Sequence, residues 1–455
     1  MLANGATDEA TTDQTPSAST TSGSVLGRCA AVLYRYRDWV EPIALFWFVR
    51  LIGVLTVARF ASLHGRSLGS VLSSWDGQWM LDIAEFGYDG VPLTQTDARG
   101  LRDANTPYAF FPGYPYLVGA VEKIPGFTAY GAAITVNVVV GALAAVGVAR
   151  LAQLCAAHML DPDSAGRWRR AVRMPTRLGR WLFPARDDDS AAAQTVGADP
   201  DLHRVGLIMV VLFAAAPMGI VLSMAYTEAL FCALAAWALV GVLRGNWYLA
   251  GVTAFLSGFC RPTAAVLIAV VMLCGALAAW RLIRQGRYGE SGPALFAVVF
   301  SPLGYIAYLC IVWAHTGSPT GWFTIQTQGW GTSFDWGRAT YNFINSVLVS
   351  EAEIAPMVTA WVLLATFALV FVSLWKRLPW PVWLYGVLLV AQIAGSGGLM
   401  MSRPRLLLPA FVLLIPIAIG IARLKVSTQI CILVAVIAVS SWFGAHMLTV
   451  YPHAI

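Results

Sequence analysis

Long apolar runs recur along this chain from residue 41 almost to its last residue, and they constrain its fold more than any other feature. About 20 apolar residues are enough for a helix to cross the roughly 30 Å hydrocarbon core of a bilayer. Because backbone groups in lipid must be hydrogen-bonded within the protein, such runs predict α-helices. The runs lie near residues 41–62, 128–157, 205–222, 226–243, 247–259, 263–281, 295–314, 357–375, 381–399, 404–422 and 428–448. The chain is therefore predicted to be an all-α, polytopic integral membrane protein with about eleven transmembrane helices.

Composition agrees with a membrane protein and excludes several soluble classes. Of the 455 residues, 58% are hydrophobic and only 12% are charged, whereas a soluble domain carries about 25% charged residues. The seven cysteines have neither CxxC nor Cys/His spacing, so no disulfide framework and no zinc site is predicted. The sequence also lacks GxxxxGKS, GxxxxGKT and GxGxxG runs, which leaves nucleotide hydrolysis and nicotinamide chemistry without support.

Arginine-rich loops predict how the spans are oriented. Short loops rich in Lys and Arg stay in the cytoplasm, and segment 158–204 carries eight arginines. Counting spans from this loop places the N-terminus in the cytoplasm and the C-terminus outside. Residues 1–27, which are rich in Thr, Ser, Ala and Gly, are predicted to be a disordered cytoplasmic tail, and residues 28–455 a single transmembrane domain. Segments 63–127 and 316–354 are then external loops, the first of them with an interfacial helix.

Three arginines lie on the side of the membrane where the positive-inside rule predicts few basic residues. Arg261, Arg403 and Arg405 fall at span ends predicted to face outside. A cation kept within a membrane costs about 2.5–3.5 kcal/mol, so it usually has a partner. One interpretation is that these side chains snorkel to the surface or pair with external carboxylates. The other is an anion site at the outer surface, which suits arginine because its planar fork can donate two parallel hydrogen bonds to a phosphate.

The stretch of residues 74–88, just after the first span, combines aromatic and acidic side chains. A helix of this character is expected to lie along the membrane surface. It would hold Asp76 between Trp75 and Trp79 at the lipid boundary, and these tryptophans are predicted to support the site. A carboxylate in that position is a candidate general base, although a helix cap or a solvated interfacial acid explains the same residue.

This stretch and several later motifs resemble the PIG-V family of mannosyltransferases. The similarity covers most of the chain from about residue 40 to residue 425. The family's usual Arg-Tyr near the last spans corresponds here to Arg403-Pro404-Arg405, which leaves open the arginine that occupies the family position. The similar motifs, in order, are Trp75-Asp76-x-x-Trp79-x-x-x-Ile83-Ala84-x-x-Gly87-Tyr88, Phe110-Phe111-Pro112-Gly113-Tyr114-Pro115, Ala225-Tyr226-Thr227-Glu228-Ala229-Leu230-Phe231, Arg261-Pro262-Thr263, Gln328-Gly329-Trp330-Gly331 and Ser402-Arg403-Pro404-Arg405.

The resemblance implies a GT-C glycosyltransferase, a multi-span α-helical enzyme that takes sugar from a polyprenyl-phosphate carrier. It implies that Asp76 acts at the active site, where sugar transfer needs a base for the acceptor hydroxyl and a cation for the departing phosphate. Arg261 with Arg403 or Arg405 is the implied phosphate site. The implied donor is polyprenyl-phosphate mannose, from which mannose passes with inversion to a glycolipid, a lipoglycan or a protein outside a bacterial plasma membrane. No cofactor is implied besides this donor, and a divalent metal requirement stays open although no ligand cluster is predicted.

Four further residues are predicted to support this site. Tyr226 and Glu228 begin one apolar run, and a carboxylate inside such a run is costly unless it has a partner. Glu228 is therefore either a second acid or arginine partner of the active site, or half of a structural salt bridge. Gln328 and Trp330 in the second external loop suit the hydroxyls and the face of a sugar, although interfacial tryptophans are common in any membrane protein.

Two other functions fit the same sequence. A transporter or flippase of a lipid-linked or amphipathic substrate also needs spans with buried charge, but its ionisable residues are expected near the bilayer midplane, often on broken helices in related halves. No clear internal repeat is visible. A GT-C enzyme that moves another sugar is the second alternative. The basic loop is explained by anionic lipid, so no nucleic-acid partner is predicted.

Overall fold

The computed structural model of the chain describes residues 36–160 and 201–453. Within these residues it is helical without a β-strand, which confirms the all-α prediction. The predicted tail (residues 1–27) and most of the arginine-rich loop lie outside the described residues. The helices are α1 (Arg37–Leu63), α2 (Leu68–Leu72), α3 (Asp76–Phe86), α4 (Gly113–Glu122), α5 (Ala129–Leu160), α6 (Leu202–Ala214), α7 (Glu228–Arg244), α8 (Trp247–Ser257), α9 (Ala264–Arg284), α10 (Gly292–Phe300), α11 (Leu303–Thr316), α12 (Gly321–Trp330), α13 (Arg338–Val349), α14 (Ile354–Trp375), α15 (Trp380–Ala394), α16 (Arg403–Leu406), α17 (Ile415–Ala422) and α18 (Val426–Thr449).

Six helical segments of the described chain are long and apolar enough to cross a membrane, namely α1, α5, α9, Tyr288–Thr316, α14 and α18. A seventh results if Met400–Leu406 and Leu408–Ala422, bent by 56°, form one span. These helices are consistent with the predicted membrane protein, but they do not confirm eleven spans. The reason is length: α6, α7, α8 and α15 have 13, 17, 11 and 15 residues. At about 1.5 Å per residue each is shorter than the roughly 30 Å core.

The predicted run 205–222 is interrupted because α6 ends early. Residues 215–227 continue without α-helix, apart from the 3-10 turn Gly219–Ser223, and contain Pro217, which cannot donate a backbone hydrogen bond. Carbonyl groups freed by such a break need other donors in an apolar interior. Side chains from α1, α5 and α18 supply them: Arg50 Nη1 donates to the Ala214 oxygen at 2.6 Å, Ser440 Oγ to the Ala216 oxygen at 2.7 Å, and Asn137 Nδ2 to the Met224 oxygen.

The segments that follow α1 and α11 are tied to the ends of other helices at one end of the bundle. We call this the site end; α5 and α7 begin there. Backbone and side-chain hydrogen bonds join the parts: the Ala225 amide donates to the Leu72 oxygen at 3.2 Å, the Gly113 amide to the Phe259 oxygen at 2.7 Å, and Gln326 Nε2 to the Ala109 oxygen at 2.9 Å. Residues far apart in sequence therefore meet at the site end.

The packing of α4 on α3 depends on a glycine, and we expect Gly119→Ala to destabilise the site end. A Cβ at Gly119 would lie 2.7 Å from the backbone oxygen of Ala84, which cannot move independently of α3. Forcing an extra carbon into such a contact costs about 1–3 kcal/mol. Gly420→Ala is the matched helical control, because a Cβ there meets nothing within 4 Å. Thermal unfolding in detergent measures both, and equal midpoints would contradict the expectation.

Candidate functional site

Four charged side chains from four parts of the chain meet at the site end. Arg405 Nη2 donates to Asp76 Oδ2. Arg405 Nη1 lies 3.5 Å from Glu228 Oε1, and Arg261 Nη1 lies 3.3 Å from the same oxygen. We call Asp76, Arg405, Glu228 and Arg261 the charge cluster; its charges alternate in sign along this order. Sequence analysis singled out each member separately, and the structure brings all four together.

Burial increases from Asp76 through Arg405 to Glu228. The side chain of Asp76 is 26% exposed, whereas those of Arg405 and Glu228 are 10% and 1% exposed. Asp76 is therefore the member that a ligand or solvent reaches most readily. Charges as buried as Arg405 and Glu228 are costly without partners, so the alternation of sign is what allows this cluster to exist inside a helical bundle.

Helix ends place these side chains. Asp76 is the first residue of α3 and Glu228 the first residue of α7, so both carboxylates lie where the helix dipole favours negative charge. Arg261 lies in the turn between α8 and α9, just before Pro262. Arg405 belongs to the short helix α16, and its guanidinium carbon lies 5.1 Å from the centre of the Tyr226 ring. This cation–π contact holds Arg405 against the connection that leads to Glu228.

The backbone just before Asp76 is strained. Trp75 has φ 54° and ψ −119°, a conformation that L-residues seldom adopt, and the turn is closed by the Gly77 amide, which donates to the Ser74 oxygen at 3.1 Å. Such a residue costs about 1–3 kcal/mol and persists only where its surroundings fix it. Tyr226 Oη donates to the same Ser74 oxygen at 3.0 Å. Trp75 and Tyr226, both predicted as support, thus set the position of Asp76.

The charge cluster contains hydrogen-bonding atoms that the described residues leave without a hydrogen-bond partner. Neither oxygen of Glu228 accepts a hydrogen bond, and Arg261 Nε and Nη1 and Arg405 Nε donate none. The ion-pair distances of 3.3 and 3.5 Å exceed the roughly 2.7–2.9 Å of charge-assisted hydrogen bonds, so the charges attract without being bonded. Buried polar groups usually have a partner. Both arginines of the charge cluster thus keep buried donor atoms that no described residue uses.

Arg403 does not lie in the charge cluster, although it is only two residues from Arg405. Its Nη2 donates to the oxygens of Ser396 and Gly397 at 2.6 and 2.8 Å, and its Nη1 donates to the Ile393 oxygen. The guanidinium group thus ties down the turn that follows α15. Of the two arginines left open by the sequence, the structure places Arg405 beside Asp76 and Glu228, and it places Arg403 in a backbone-binding role.

We expect Arg403→Lys to lower the free energy of unfolding by about 1.5–3 kcal/mol. Hydrogen bonds to charged groups contribute about this much, and a lysine cannot reproduce a planar fork that donates to three carbonyl groups. The measurement is chemical unfolding followed by tryptophan fluorescence. Arg423→Lys, a change at an exposed arginine outside the site, is the control. If both variants unfold at the same denaturant concentration, the proposed role of Arg403 in this turn is wrong.

An aromatic group, which we call the aromatic wall, adjoins the Asp76 helix. It consists of Trp79, Phe110 and Trp330. The Trp79 and Phe110 rings stack with centroids 5.3 Å apart, and Trp330 meets them edge-on at 6.4 and 5.4 Å. Trp79 lies three residues after Asp76 on α3, so the two side chains share a helix face. Trp330 is half-buried in this wall, whereas Gln328 is exposed on α12.

Two buried charged residues, Asp82 and Arg50, were not predicted from the sequence. Asp82 on α3 is bound by Gln78, whose Nε2 donates to Oδ1 at 2.9 Å. Burial raises the pKa of this carboxyl, against the lowering effect of the Gln78 hydrogen bond. Arg50, in the middle of α1, holds the end of α6 as described above. A charge in the middle of the first apolar run was the available signal for Arg50; nothing in the sequence separated Asp82 from its exposed neighbour Glu85.

Within residues 36–160 and 201–453, no group of three or more His, Cys, Asp or Glu side chains is arranged to hold a metal ion. The chemistry of the site is that of carboxylates, guanidinium groups and aromatic rings. No family model matches the chain, and no curated protein matches it. A function is therefore inferred from the arrangement of these groups.

Proposed function

We propose that the chain is a membrane glycosyltransferase of GT-C architecture that transfers mannose from polyprenyl-phosphate mannose to an acceptor outside the plasma membrane. The observation that carries the proposal is the charge cluster, in which a partly exposed carboxylate is bound to one buried arginine and a second buried arginine follows through Glu228; both arginines have unpaired donor atoms. A base and a phosphate site next to each other are what sugar transfer from a phosphate-linked donor requires. The motif resemblance supports mannose and the polyprenyl carrier.

The proposed reaction is a single displacement at the anomeric carbon of the donor. Asp76 accepts the proton of the acceptor hydroxyl as its oxygen attacks this carbon from the face opposite to the phosphate. The bond between the anomeric carbon and the phosphate oxygen breaks, and its electron pair leaves with the polyprenyl phosphate. Arg405 and Arg261 donate hydrogen bonds to the phosphate oxygens and stabilise the charge that develops on them. Attack from the opposite face inverts the configuration of the sugar.

The architecture proposed with this function counts the shorter helices as spans. Besides the candidate spans and the bent pair, α6, α7, α8 and α15 would then cross the membrane, which gives the eleven predicted from the apolar runs. In this topology the N-terminus is cytoplasmic and the site end faces outside, where a lipid-linked donor and a glycolipid, lipoglycan or protein acceptor meet. The aromatic wall, with Trp79 and Trp330, is the surface on which we place sugar rings.

The test is transfer of radiolabelled mannose. Membranes from a host without endogenous mannosyltransferases, carrying the full chain, are incubated with labelled polyprenyl-phosphate mannose and with extracts that supply glycolipid, lipoglycan or protein acceptors. We expect label in one acceptor fraction and equimolar release of polyprenyl phosphate. Membranes without the chain provide the background. Absence of transfer to all three acceptor classes, with folded protein present, would overturn the proposal.

A transporter remains the second candidate because of one observation, the broken helices. The pair Met400–Leu406 and Leu408–Ala422 is bent by 56°, and residues 215–227 interrupt another apolar run. Discontinuous helices are typical of transporter binding sites. Proteoliposomes separate the two functions, because a transporter moves the labelled lipid across the bilayer with its sugar–phosphate bond intact, whereas a transferase breaks that bond. Donors with other sugars, arabinofuranose included, test the remaining GT-C alternative in the same assay.

A further inference from the structure

One contact within the charge cluster conflicts with the roles just proposed. Asp76 has to accept a proton, and Arg405 has to bind the donor phosphate, yet the two side chains are bound to each other. Arg405 is also close to Glu228 through its other terminal nitrogen. Its fork is thus occupied on one side by the base and adjoins a carboxylate on the other. A phosphate that approaches Arg405 from the exposed side meets Asp76 first.

We propose that the Asp76–Arg405 ion pair is a latch that the donor phosphate opens. The phosphate takes the place of the Asp76 carboxylate on Arg405, and the released carboxylate then accepts the hydrogen of the acceptor hydroxyl. This inference rests on the proposed function, since it concerns the same site, and it adds an order of events. Donor binding comes first, and the base becomes available only when a donor is present.

The unequal anchoring of the two partners favours this exchange. Arg405 also contacts Glu228, 3.5 Å away, and the Tyr226 ring, at 5.1 Å. It therefore keeps two contacts when Asp76 leaves. Glu228 is fully buried at 1% exposure and lies between two arginines. Asp76 is the most exposed member of the cluster, at 26%, and among the described residues Arg405 is its one charged partner. The partner that can be displaced is therefore Asp76.

Charge also favours replacement over addition. The cluster holds two arginines and two carboxylates, so as it stands it offers an incoming anion no net positive charge. Like charges placed side by side in a buried site repel strongly. A phosphate that joined Arg405 without moving Asp76 would face that carboxylate directly. Replacement increases the distance between the Asp76 carboxylate and the phosphate, which weakens this repulsion, and it leaves both oxygens of Asp76 free to accept a hydrogen bond from the acceptor.

The experiment measures equilibrium binding of a sugar-free prenyl phosphate of short chain length to the full chain in lipid nanodiscs. Because Asn at position 76 no longer competes as an anion, we expect Asp76→Asn to bind the prenyl phosphate about tenfold more tightly than the wild type. Glu85→Gln removes one exposed charge from the same helix and is the matched control for long-range electrostatics; its affinity should equal that of the wild type. Equal or weaker binding by Asp76→Asn would overturn the latch.

A thermodynamic cycle distinguishes a direct exchange from a diffuse effect. In an Arg405→Gln background, replacement of Asp76 by Asn should give no further gain in affinity, because the contested guanidinium group is absent. An undiminished gain would contradict the latch. Asp76→Ala provides a second variant if the Asn form is not monodisperse. Failure of the proposed function has a different signature: the wild type itself then binds no prenyl phosphate and transfers no sugar.

Discussion

Asp76→Asn is expected to lower the turnover number for mannose transfer by about 10²–10⁴-fold, the range attributed to a positioned general base. Asparagine has nearly the shape of aspartate and its side-chain oxygen can still accept a hydrogen bond from Arg405, but it cannot take up the acceptor proton. Since Asp76 is 26% exposed and lies at the start of α3, the substitution should leave the fold intact.

Initial rates at varied donor concentration measure this effect. The donor KM should not rise, because the latch predicts that loss of the competing carboxylate strengthens donor binding. A fall in turnover together with a constant or lower KM is the combination expected of a lost base, whereas a damaged phosphate site would raise KM. Glu85→Gln serves again as the control. Near-normal turnover in a folded Asp76→Asn protein would exclude Asp76 as the general base.

The all-α fold and the members of the charge cluster could be predicted from the sequence. Charged residues are rare in a chain of long apolar runs, so each one near such a run can be recognised. Asp76, Glu228, Arg261 and Arg405 each stood out as a charge beside or inside an apolar run, or on the side opposite to the one the orientation rule predicts. The choice between Arg403 and Arg405 could not be made this way. Residues two positions apart on a helix point about 200° away from each other. Only the packing decides whether Arg403 or Arg405 faces Asp76.

Pro217 signals a break within the apolar run 205–222, but the groups that stabilise this break could not be predicted from the sequence. Hydropathy over residues 205–222 is continuous, yet α6 ends at Ala214, and the freed carbonyl groups are bound by side chains as remote as Arg50 and Ser440. A lone arginine in an apolar run fits snorkelling as well as such a role. The distinction depends on which helix packs against it, and that information is absent from the local pattern.

Glu228→Gln is expected to have the largest effect on stability, lowering the free energy of unfolding by about 3–5 kcal/mol, as when one partner of a buried ion pair is removed. Its carboxylate is the anion between Arg261 and Arg405, at 3.3 and 3.5 Å, and the arginine side chains are only 7% and 10% exposed. Glutamine fills the same volume but leaves two buried cations with Asp76 as their remaining charged partner in the cluster. Asp76→Asn should cost less, because Asp76 is partly exposed.

The double variant Glu228→Gln with Arg261→Gln separates this electrostatic explanation from a simple packing defect. If Glu228 balances the charge of Arg261, replacing Arg261 as well should restore part of the stability that is lost with Glu228. The double variant should then be more stable than the sum of the two single losses predicts. Equilibrium unfolding in detergent measures the stability of the wild type, the two single variants and the double variant. Strictly additive losses would show that the two side chains are not energetically coupled.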